Sequence, residues 1–357
     1  MPGLKILDRH LAQALIGAAL LTALVLLGLS GFVSFVEDLD SAGRYGLSAA
    51  QVAQLTLLKL PELLFDMFPL IVLLGAILGL GGLAASGELV VMQAAGMPVW
   101  RIAASAATVG LLLGLLALVV GDRLVPWANA AASDLRSGET RSDAAGPSLW
   151  VRNGRLYVHV GAVVGPHQLE SLRVFELDEP GSTLVAVESA ARAEYRDGRW
   201  QAYEWQRVEP TAQALLRERA AQEPLRVSFE PELLELFLLR AGSLSLPGLQ
   251  RYIAYLESNK LDSHRPRLAF WQKLATPLSV VAMVFIAVPF VLGPLRDTGA
   301  GQRLFVGVLM GIGFYVLNET VVNLGAIYRW SPPAAALSPA ILLGLVALWR
   351  LVQYRAR

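Results

Sequence analysis

The chain contains no cysteine, and this absence excludes several kinds of chemistry. Disulfide bonds, thiolate metal sites and a cysteine nucleophile are all ruled out. Histidine is also rare, and the four histidines are scattered along the chain: His10, His159, His167 and His264. No pair among them has the spacing of a metal site, so the sequence predicts no metal centre.

Lysine occurs only four times in 357 residues, and none of the four follows a glycine. A nucleotide-binding P-loop requires glycine followed by lysine, because backbone amides cradle the phosphates while the ammonium group reaches them. The chain therefore carries no P-loop, and it shows no nucleophile elbow, zinc motif or convincing catalytic cluster. We do not expect it to be an enzyme by itself. Its formal net charge of +1 provides no general attraction for nucleic acid.

Apolar residues, by contrast, are abundant: they make up 55% of the chain, and the mean hydropathy is +0.51. This composition predicts a membrane protein. Six apolar runs are each about long enough to span a bilayer, which takes ~20 helical residues. The six predicted spans are Leu11–Val36, Met67–Gly87, Ile102–Gly121, Leu274–Leu295, Leu304–Ile327 and Ser331–Trp349. The second span is rich in glycines that permit close helix packing: Gly75, Gly79, Gly81 and Gly82.

The basic residues that flank the spans fall on one face of this topology. They are Lys5, Arg9, Arg101, Arg296, Arg303, Arg350, Arg355 and Arg357. The positive-inside rule makes that face cytoplasmic, so both termini are expected in the cytoplasm. Whatever lies between the third and fourth spans is then outside, which in a bacterium is the periplasm.

The composition changes between Asp122 and about Leu268, where most of the charged residues of the chain are found. Runs of alternating polar and apolar residues predict strands, and Asn153-Gly154 and Asp197-Gly198 between them predict hairpins. The predicted strands are Leu149–Val160, Leu172–Leu177, Leu184–Tyr195, Arg199–Val208 and Leu225–Phe229, followed by a helix over Ser245–Asn259. The predicted domains are therefore 1–121 with three spans, 122–268 with the β-rich insert, and 269–357 with three spans.

The stretch Ser86–Arg101 connects the second span to the third and reads as a short helix. Ser86 is placed to cap its start, Glu88 lies in its first turn, and Gly96 is placed to end it. Its middle is too apolar to face water alone. Two interpretations stand at this point: a turn that lies on the membrane surface, or a helix that docks into another protein.

Few charged residues lie at or inside the spans. Lys59, Glu62 and Asp66 share a helical face at the mouth of the second span, where lipid headgroups would wet them. Glu319 is the carboxylate that lies well inside a predicted span, and it is expected toward the outer interface. An ion-coupled carrier, in which Glu319 would be essential, is therefore an alternative with little support.

Several stretches resemble the lipopolysaccharide export permeases of the LptF/LptG family. They are Leu7–Arg9, Glu88–Gly96, Leu246–Trp271 leading into Leu268–Leu274, Phe290–Arg296 and Phe314–Leu317. The resemblance runs from end to end, and the order of elements matches the topology worked out above. The sequence Val-Val-Met-Gln at Val90–Gln93 favours the LptG branch of the family.

The resemblance implies an α-helical membrane protein with six transmembrane helices and an inserted periplasmic β-jellyroll domain. It implies a permease subunit that extracts lipopolysaccharide from the outer leaflet of the bacterial inner membrane for outer-membrane biogenesis. The implied partners are an LptF-like permease, an LptB-like ATPase dimer, and the periplasmic or bridging proteins LptC and LptA. No cofactor is expected in this chain, since the ATPase would bind ATP and magnesium.

The resemblance also implies roles for individual residues. Residues 86–101 become a coupling helix that contacts the ATPase, with Glu88 as the coupling carboxylate and Val91, Met92 and Ala95 as apolar contacts. Phe32 and Phe35 of the first span, together with the fifth span that carries Glu319, would line a lateral gate for lipid. An inner face of the jellyroll would hold acyl chains, and its candidate residues are Val158, Val160, Val174, Leu184 and Trp205.

The chain departs from the family where lysines would meet lipid A phosphates. Related chains carry lysines at or near four positions that are neutral or acidic here: Ser34, Asp40, Ser41 and Glu62. Arg136 matches a basic family position and Arg44 lies nearby in sequence, so these two arginines are the candidate phosphate contacts. Either the partner supplies most of the positive charge, or the lipid carries less negative charge.

Two further functions remain open from the sequence. The chain could be the LptF-type partner subunit or a permease for another lipid. It could also be a scaffold that anchors periplasmic assembly and moves nothing. Glu88 distinguishes the scaffold from the transporter, because a scaffold does not need a carboxylate at an ATPase contact.

Overall fold

A computed structural model describes residues 2–45, 48–137, 149–165, 167–178, 183–210, 215–227, 243–293 and 299–355. The chain divides into two compact units. The first combines Met1–Asn129 with His264–Arg357, and the second is Ala130–Ser263. These limits place the start of the inserted unit eight residues later than the predicted 122 and its end five residues earlier than the predicted 268.

The helices follow the predicted order of spans. They are α1 (Pro2–Tyr45), α2 (Ala49–Ala85), α3 (Glu88–Ala94), α4 (Val99–Val119), α5 (Val125–Ser137), α6 (Leu246–Ser258), α7 (His264–Leu292), α8 (Ala300–Ile327) and α9 (Pro332–Arg355), with a π-helix over Val120–Leu124 between α4 and α5. Within the described residues, six helices are long and apolar enough to cross a membrane: α1, α2, α4 with its continuation to Ser133, α7, α8 and α9. The prediction of six spans is confirmed.

The first two membrane helices are longer than their apolar runs. α2 begins at Ala49 rather than near Met67, because Ser48 caps its N-terminus. The Ser48 hydroxyl accepts a hydrogen bond from the Gln51 amide, and the Gln51 side chain accepts one from the Ser48 amide. Hydropathy alone missed this start because charged residues and Pro61 lie between Ala49 and the apolar run at Met67.

Glycines allow the helices of the first unit to approach closely. A Cβ on Gly75 of α2 would lie 2.5 Å from the Cα of Ala19 on α1, and one on Gly79 would lie 2.7 Å from the carbonyl oxygen of Ala14. A Cβ on Gly81 would meet the side chain of Arg303 on α8. Gly82 differs, since it is exposed and no atom lies within 4 Å of its Cβ position. Three of the four predicted packing glycines are confirmed.

The second unit contains an antiparallel sheet in which each strand pairs with its neighbour in sequence. Its strands are β1 (Leu149–Asn153), β2 (Leu156–Gly165), β3 (Gln168–Leu177), β4 (Leu184–Arg196), β5 (Arg199–Pro210) and β6 (Leu215–Pro224). Gly154 turns between β1 and β2, and Asp197-Gly198, both with positive φ, turn between β4 and β5. Both predicted hairpins are confirmed.

The jellyroll connectivity implied by the resemblance stays a prediction, since the described strands form one meander. Of the predicted strand Leu225–Phe229, residues 228 and 229 lie outside the described residues. The predicted helix over Ser245–Asn259 is confirmed as α6, with the Ser245 hydroxyl capping it. The Tyr255 hydroxyl of α6 donates to the Arg152 carbonyl over 2.6 Å, and Asn259 accepts from the Gly154 amide. These two hydrogen bonds hold the C-terminal end of α6 against the β1–β2 hairpin.

We predict that Gly75→Ala will destabilise the protein by about 1–3 kcal/mol, because the added methyl group must displace the α1 backbone. Gly82→Ala in the same helix is the matched control, and it should be neutral or slightly stabilising. Thermal unfolding of both variants in detergent, followed by tryptophan fluorescence, measures the difference. Equal midpoints for the two variants would contradict the close approach of α2 to α1 at Gly75.

Candidate functional site

The segment between α2 and α4 forms the predicted short helix, but it begins in a different way from that expected. Ser86 was predicted to cap α3, whereas the structure places Ser86 at the C-terminal cap of α2 and Gly87 at the N-cap of α3. The reason is geometric, because only Ser86 and Gly87 lie between the end of α2 and the start of α3. Gly87 adopts φ +78°, a left-handed conformation that favours glycine.

The end of α3 is as predicted. Gly96 has φ +87°, and the Met97 amide donates to the Met92 carbonyl over 3.0 Å, which closes the helix in a left-handed turn. Pro98 then takes the N-cap position of α4. The connection between the second and third spans is thus a defined seven-residue helix held by turns at both ends.

α3 has one face in the protein and one face outside it. Leu89 and Met92, the latter 3% exposed, join the apolar core of the helical unit. Val91 is 68% exposed, and Ala95 is exposed as well. The predicted contact between Met92 and a partner is therefore corrected: the side chain of Met92 packs against this chain's own core. Glu88, Val91 and Ala95 remain available on the outer face.

The Glu88 carboxylate is exposed and receives two hydrogen bonds. The Ser86 hydroxyl donates to Oε1 over 2.8 Å, and His10 Nε2 lies 2.6 Å from Oε2. His10 is the donor in this pair, because an ionised carboxylate only accepts. These bonds, with Ser86 making the larger contribution and His10 the next, lower the pKa of the Glu88 carboxyl below its usual value. Glu88 is therefore an anion at neutral pH.

A second polar contact joins the start of α1 to the start of α4. Asp8 Oδ1 accepts a hydrogen bond from the Ser105 hydroxyl over 2.7 Å, and Asp8 Oδ2 lies 3.4 Å from the Arg101 guanidinium. The sequence marks Leu7–Arg9 and Ser86–Arg101 as separate stretches. It did not predict that they meet, because the contacts join residues 78 to 97 positions apart.

The residues predicted to contact lipid lie on α1, α5 and α8. Phe32 is 65% exposed and Phe35 is half-buried on α1. Glu319 is half-buried on α8 and accepts a hydrogen bond from Asn323 over 3.4 Å. The predicted phosphate contacts of Arg44 and Arg136 concern side chains outside the described residues. Contact of any of these residues with lipid stays a prediction.

Three cations make contacts between membrane helices that the sequence did not reveal. Lys59 on α2 pairs with Asp38 on α1 at 2.6 Å, so it does not simply face the headgroups. Lys273 on α7 is buried and donates to the Gly121 carbonyl in the π-helix over 2.8 Å. Arg303 on α8 is buried and donates to the Gly81 carbonyl of α2. The available signal for Lys273 was a rare lysine beside an apolar run.

The predicted inner face of the β unit is largely assembled. Val158, Val160, Val174 and Trp205 belong to one buried cluster of the sheet. Leu184 is exposed and lies outside that cluster, because it occupies the first position of β4. A role of this face in holding acyl chains stays a prediction.

One end of the same face is charged, which the sequence did not predict. Arg207 is buried, and its guanidinium contacts Glu188 at 2.6 Å, Glu209 at 2.7 Å and Glu176 at 3.0 Å. The Trp205 indole donates to Glu188 as well. These contacts satisfy the buried arginine across three neighbouring strands.

Comparison with known proteins identifies the family. The model of the lipopolysaccharide export system permease family LptF/LptG matches residues 9–353. This chain belongs to that family. It is 31% identical over 357 residues to LptG of Escherichia coli strain K12, with 98% of each chain covered. It is 30% identical to LptG of Haemophilus influenzae, over 98% of this chain and 99% of the relative.

Membership of the LptF/LptG family decides several questions that the sequence left open. The family consists of permease subunits, so the chain is not an enzyme itself. Six apolar helices in a member of this family indicate a multi-pass protein of the inner membrane. The match covers both units, including α3 and the sheet.

We predict that Arg207→Leu will destabilise the β unit by about 3 kcal/mol, because it leaves the buried Glu188 without its cation. The matched control is Arg196→Leu, whose exposed guanidinium pairs with Glu194 and should contribute less than about 1 kcal/mol. Limited proteolysis of the full chain in detergent at rising temperature measures both. If Arg196→Leu lowered the cleavage temperature as much as Arg207→Leu, the Arg207 network would stabilise the β unit no more than an exposed ion pair does.

Proposed function

We propose that this chain is the LptG-type permease subunit of an ATP-driven exporter. In this role it takes lipopolysaccharide from the outer leaflet of the inner membrane and passes it to a periplasmic bridge. Family membership supports the proposal, and relatives that carry the name LptG match almost the full chain. The combination of six spans with an inserted sheet fits a subunit that works both in the membrane and beside it.

Energy for export comes from a separate ATPase in this proposal. Without a Gly-Lys pair the chain has no P-loop, so an LptB-like dimer would hold the ATP and magnesium. The outer face of α3 is the docking surface, and it is defined by Glu88, Val91 and Ala95. The observation that carries the proposal is geometric: the exposed Glu88 carboxylate lies beside the exposed Val91, on a short helix whose opposite face is buried in the core.

The chemistry of that surface selects a partner with a cation in a shallow apolar groove. An arginine or a backbone amide of the ATPase would form a charge-assisted hydrogen bond with Glu88. Val91 and Ala95 would lose exposed apolar area against the walls of the groove. Such a surface could transmit movement of the ATPase to α3, because the directional hydrogen bond of Glu88 resists sliding and the apolar contacts of Val91 and Ala95 resist separation.

The orientation follows from the basic residues and their positions. Contacts of His10 with Glu88, of Asp8 with Arg101 and of Arg303 with Gly81 gather these basic residues and α3 at one end of the helical unit. The positive-inside rule makes that end cytoplasmic, with both chain termini on the same side. The β unit is then periplasmic, where LptC and LptA would receive the lipid.

Lipid would enter beside α1 in this proposal. Phe32 and Phe35 would contact acyl chains at a lateral gate formed with an LptF-like partner, and Arg44 and Arg136 would meet phosphates. The apolar cluster of the sheet would then receive the acyl chains, while the Arg207 network forms its polar end.

We predict that Glu88→Ala will weaken binding of the ATPase by about tenfold to a hundredfold, the value of one charge-assisted hydrogen bond. The complex with an LptF-like partner and the ATPase is reconstituted in proteoliposomes. ATP hydrolysis and lipopolysaccharide release to a periplasmic acceptor are then measured. Both should fall at limiting ATPase concentration and recover partly when the ATPase is in excess.

Gln93→Ala is the control, because it shortens a polar side chain on α3 without touching the proposed docking surface. Unchanged release with Glu88→Ala would rule out coupling through α3. An intact complex that assembles but neither hydrolyses ATP nor releases lipid would favour the scaffold function instead.

A further inference from the structure

Three residues near the N-terminal end of α1, namely Asp8, His10 and Leu11, connect this helix to the segment around α3. Leu11 is fully buried in the core that also contains Leu89 and Met92. At about 100° per residue, Asp8 lies about 60° to one side of Leu11 and His10 about 100° to the other. Two polar residues therefore flank the apolar stripe by which α1 meets the core.

Each flanking residue holds one end of the segment that contains α3. His10 holds the front end through Glu88, at 2.6 Å. Asp8 holds the rear end through Ser105 and Arg101 at the start of α4, at 2.7 Å and 3.4 Å. Arg9 points to neither end and is exposed. The end of α1 thus lies between the two anchoring points.

We propose that His10 and Asp8 are positioning residues that clamp α1 to α3 and to the start of α4, respectively, so that a displacement of α3 moves the first span directly. This inference rests on the proposed function, since it takes α3 as the place where the ATPase acts. α1 is one continuous helix of 44 residues that carries Phe32 and Phe35 further along. A displacement of its first turns would therefore be transmitted along the helix to the turn that carries Phe32 and Phe35.

The clamp acts through position rather than through stability. Exposed ion pairs contribute little to folding, and all five charged or polar partners here are partly exposed. Leu11 and the packing of α1 on α2 hold the helix in place whether or not the clamp is present. Loss of the clamp should leave the protein folded and its ATPase bound, while transport uncouples from hydrolysis.

The first experiment compares His10→Phe, Asp8→Asn and the double variant in the full reconstituted complex. ATPase association, ATP hydrolysis and lipopolysaccharide released per ATP are measured separately. We expect association and hydrolysis to stay within about twofold, and release per ATP in the double variant to fall about five- to tenfold. The single variant His10→Gln, whose side-chain amide can still donate a hydrogen bond to Glu88, should keep most of the release per ATP that His10→Phe loses.

Arg9→Gln is the matched control, because it removes a charge from the same helical turn on the exposed side. Equal loss of all three quantities would indicate a merely structural role and overturn the inference. Full release per ATP in the double variant would overturn it as well. A wild-type complex that does not couple hydrolysis to release would instead contradict the proposed function.

A second experiment uses the absence of cysteine in the chain. The variant that combines Asp8→Cys with Ser105→Cys is treated with a short bis-methanethiosulfonate. Each end forms a disulfide bond with an introduced thiol and releases a sulfinate, so α1 is tied to α4 by a link that a reductant can cleave. The untreated variant keeps only the His10 contact, so we expect its release per ATP to be lower than that of the wild type and to recover in the cross-linked variant. If cross-linking abolished release and reduction restored it, the contact would have to open during transport, and the inference would be wrong.

Discussion

The burial of Leu89 and Met92 is the interaction on which the arrangement of α3 depends. A seven-residue helix is too short to be stable alone, so its packing against the membrane helices determines whether it forms. Because these two side chains point inward, the rotation of the helix is fixed. Val91 and Glu88 are then outside, and a partner meets a preformed surface instead of a loop that must be ordered on binding.

Cations between the membrane helices follow a common physical rule. In a medium without water, a buried cation needs a polar partner, and helix carbonyls are already bonded within their helices. Arg303 reaches the carbonyl of Gly81, and Lys273 reaches the carbonyl of Gly121. Both acceptors are glycines, which have no side chain to block the approach. In the second case the carbonyl belongs to the π-helix Val120–Leu124, where hydrogen bonds join residues five apart instead of four.

Features that depend on local signals could be predicted from the sequence. Apolar runs gave six spans, Gly96 gave the end of α3, and Asp197-Gly198 gave a hairpin, because each signal lies within a few residues of its effect. Features that depend on which side of a helix meets the core could not. Met92 was assigned to the wrong face of α3, and the pairing of His10 with Glu88 was missed, since both depend on packing between distant parts of the chain.

The clamp and the docking surface share the Glu88 carboxylate, and their requirements are compatible. An ionised carboxylate offers about four lone-pair positions for hydrogen bonds. Ser86 takes one on Oε1 and His10 takes one on Oε2. About two lone-pair positions remain for a cation of the partner, so docking does not require the hydrogen bond between His10 and Glu88 to break. The same residue can therefore receive the force and pass it to α1.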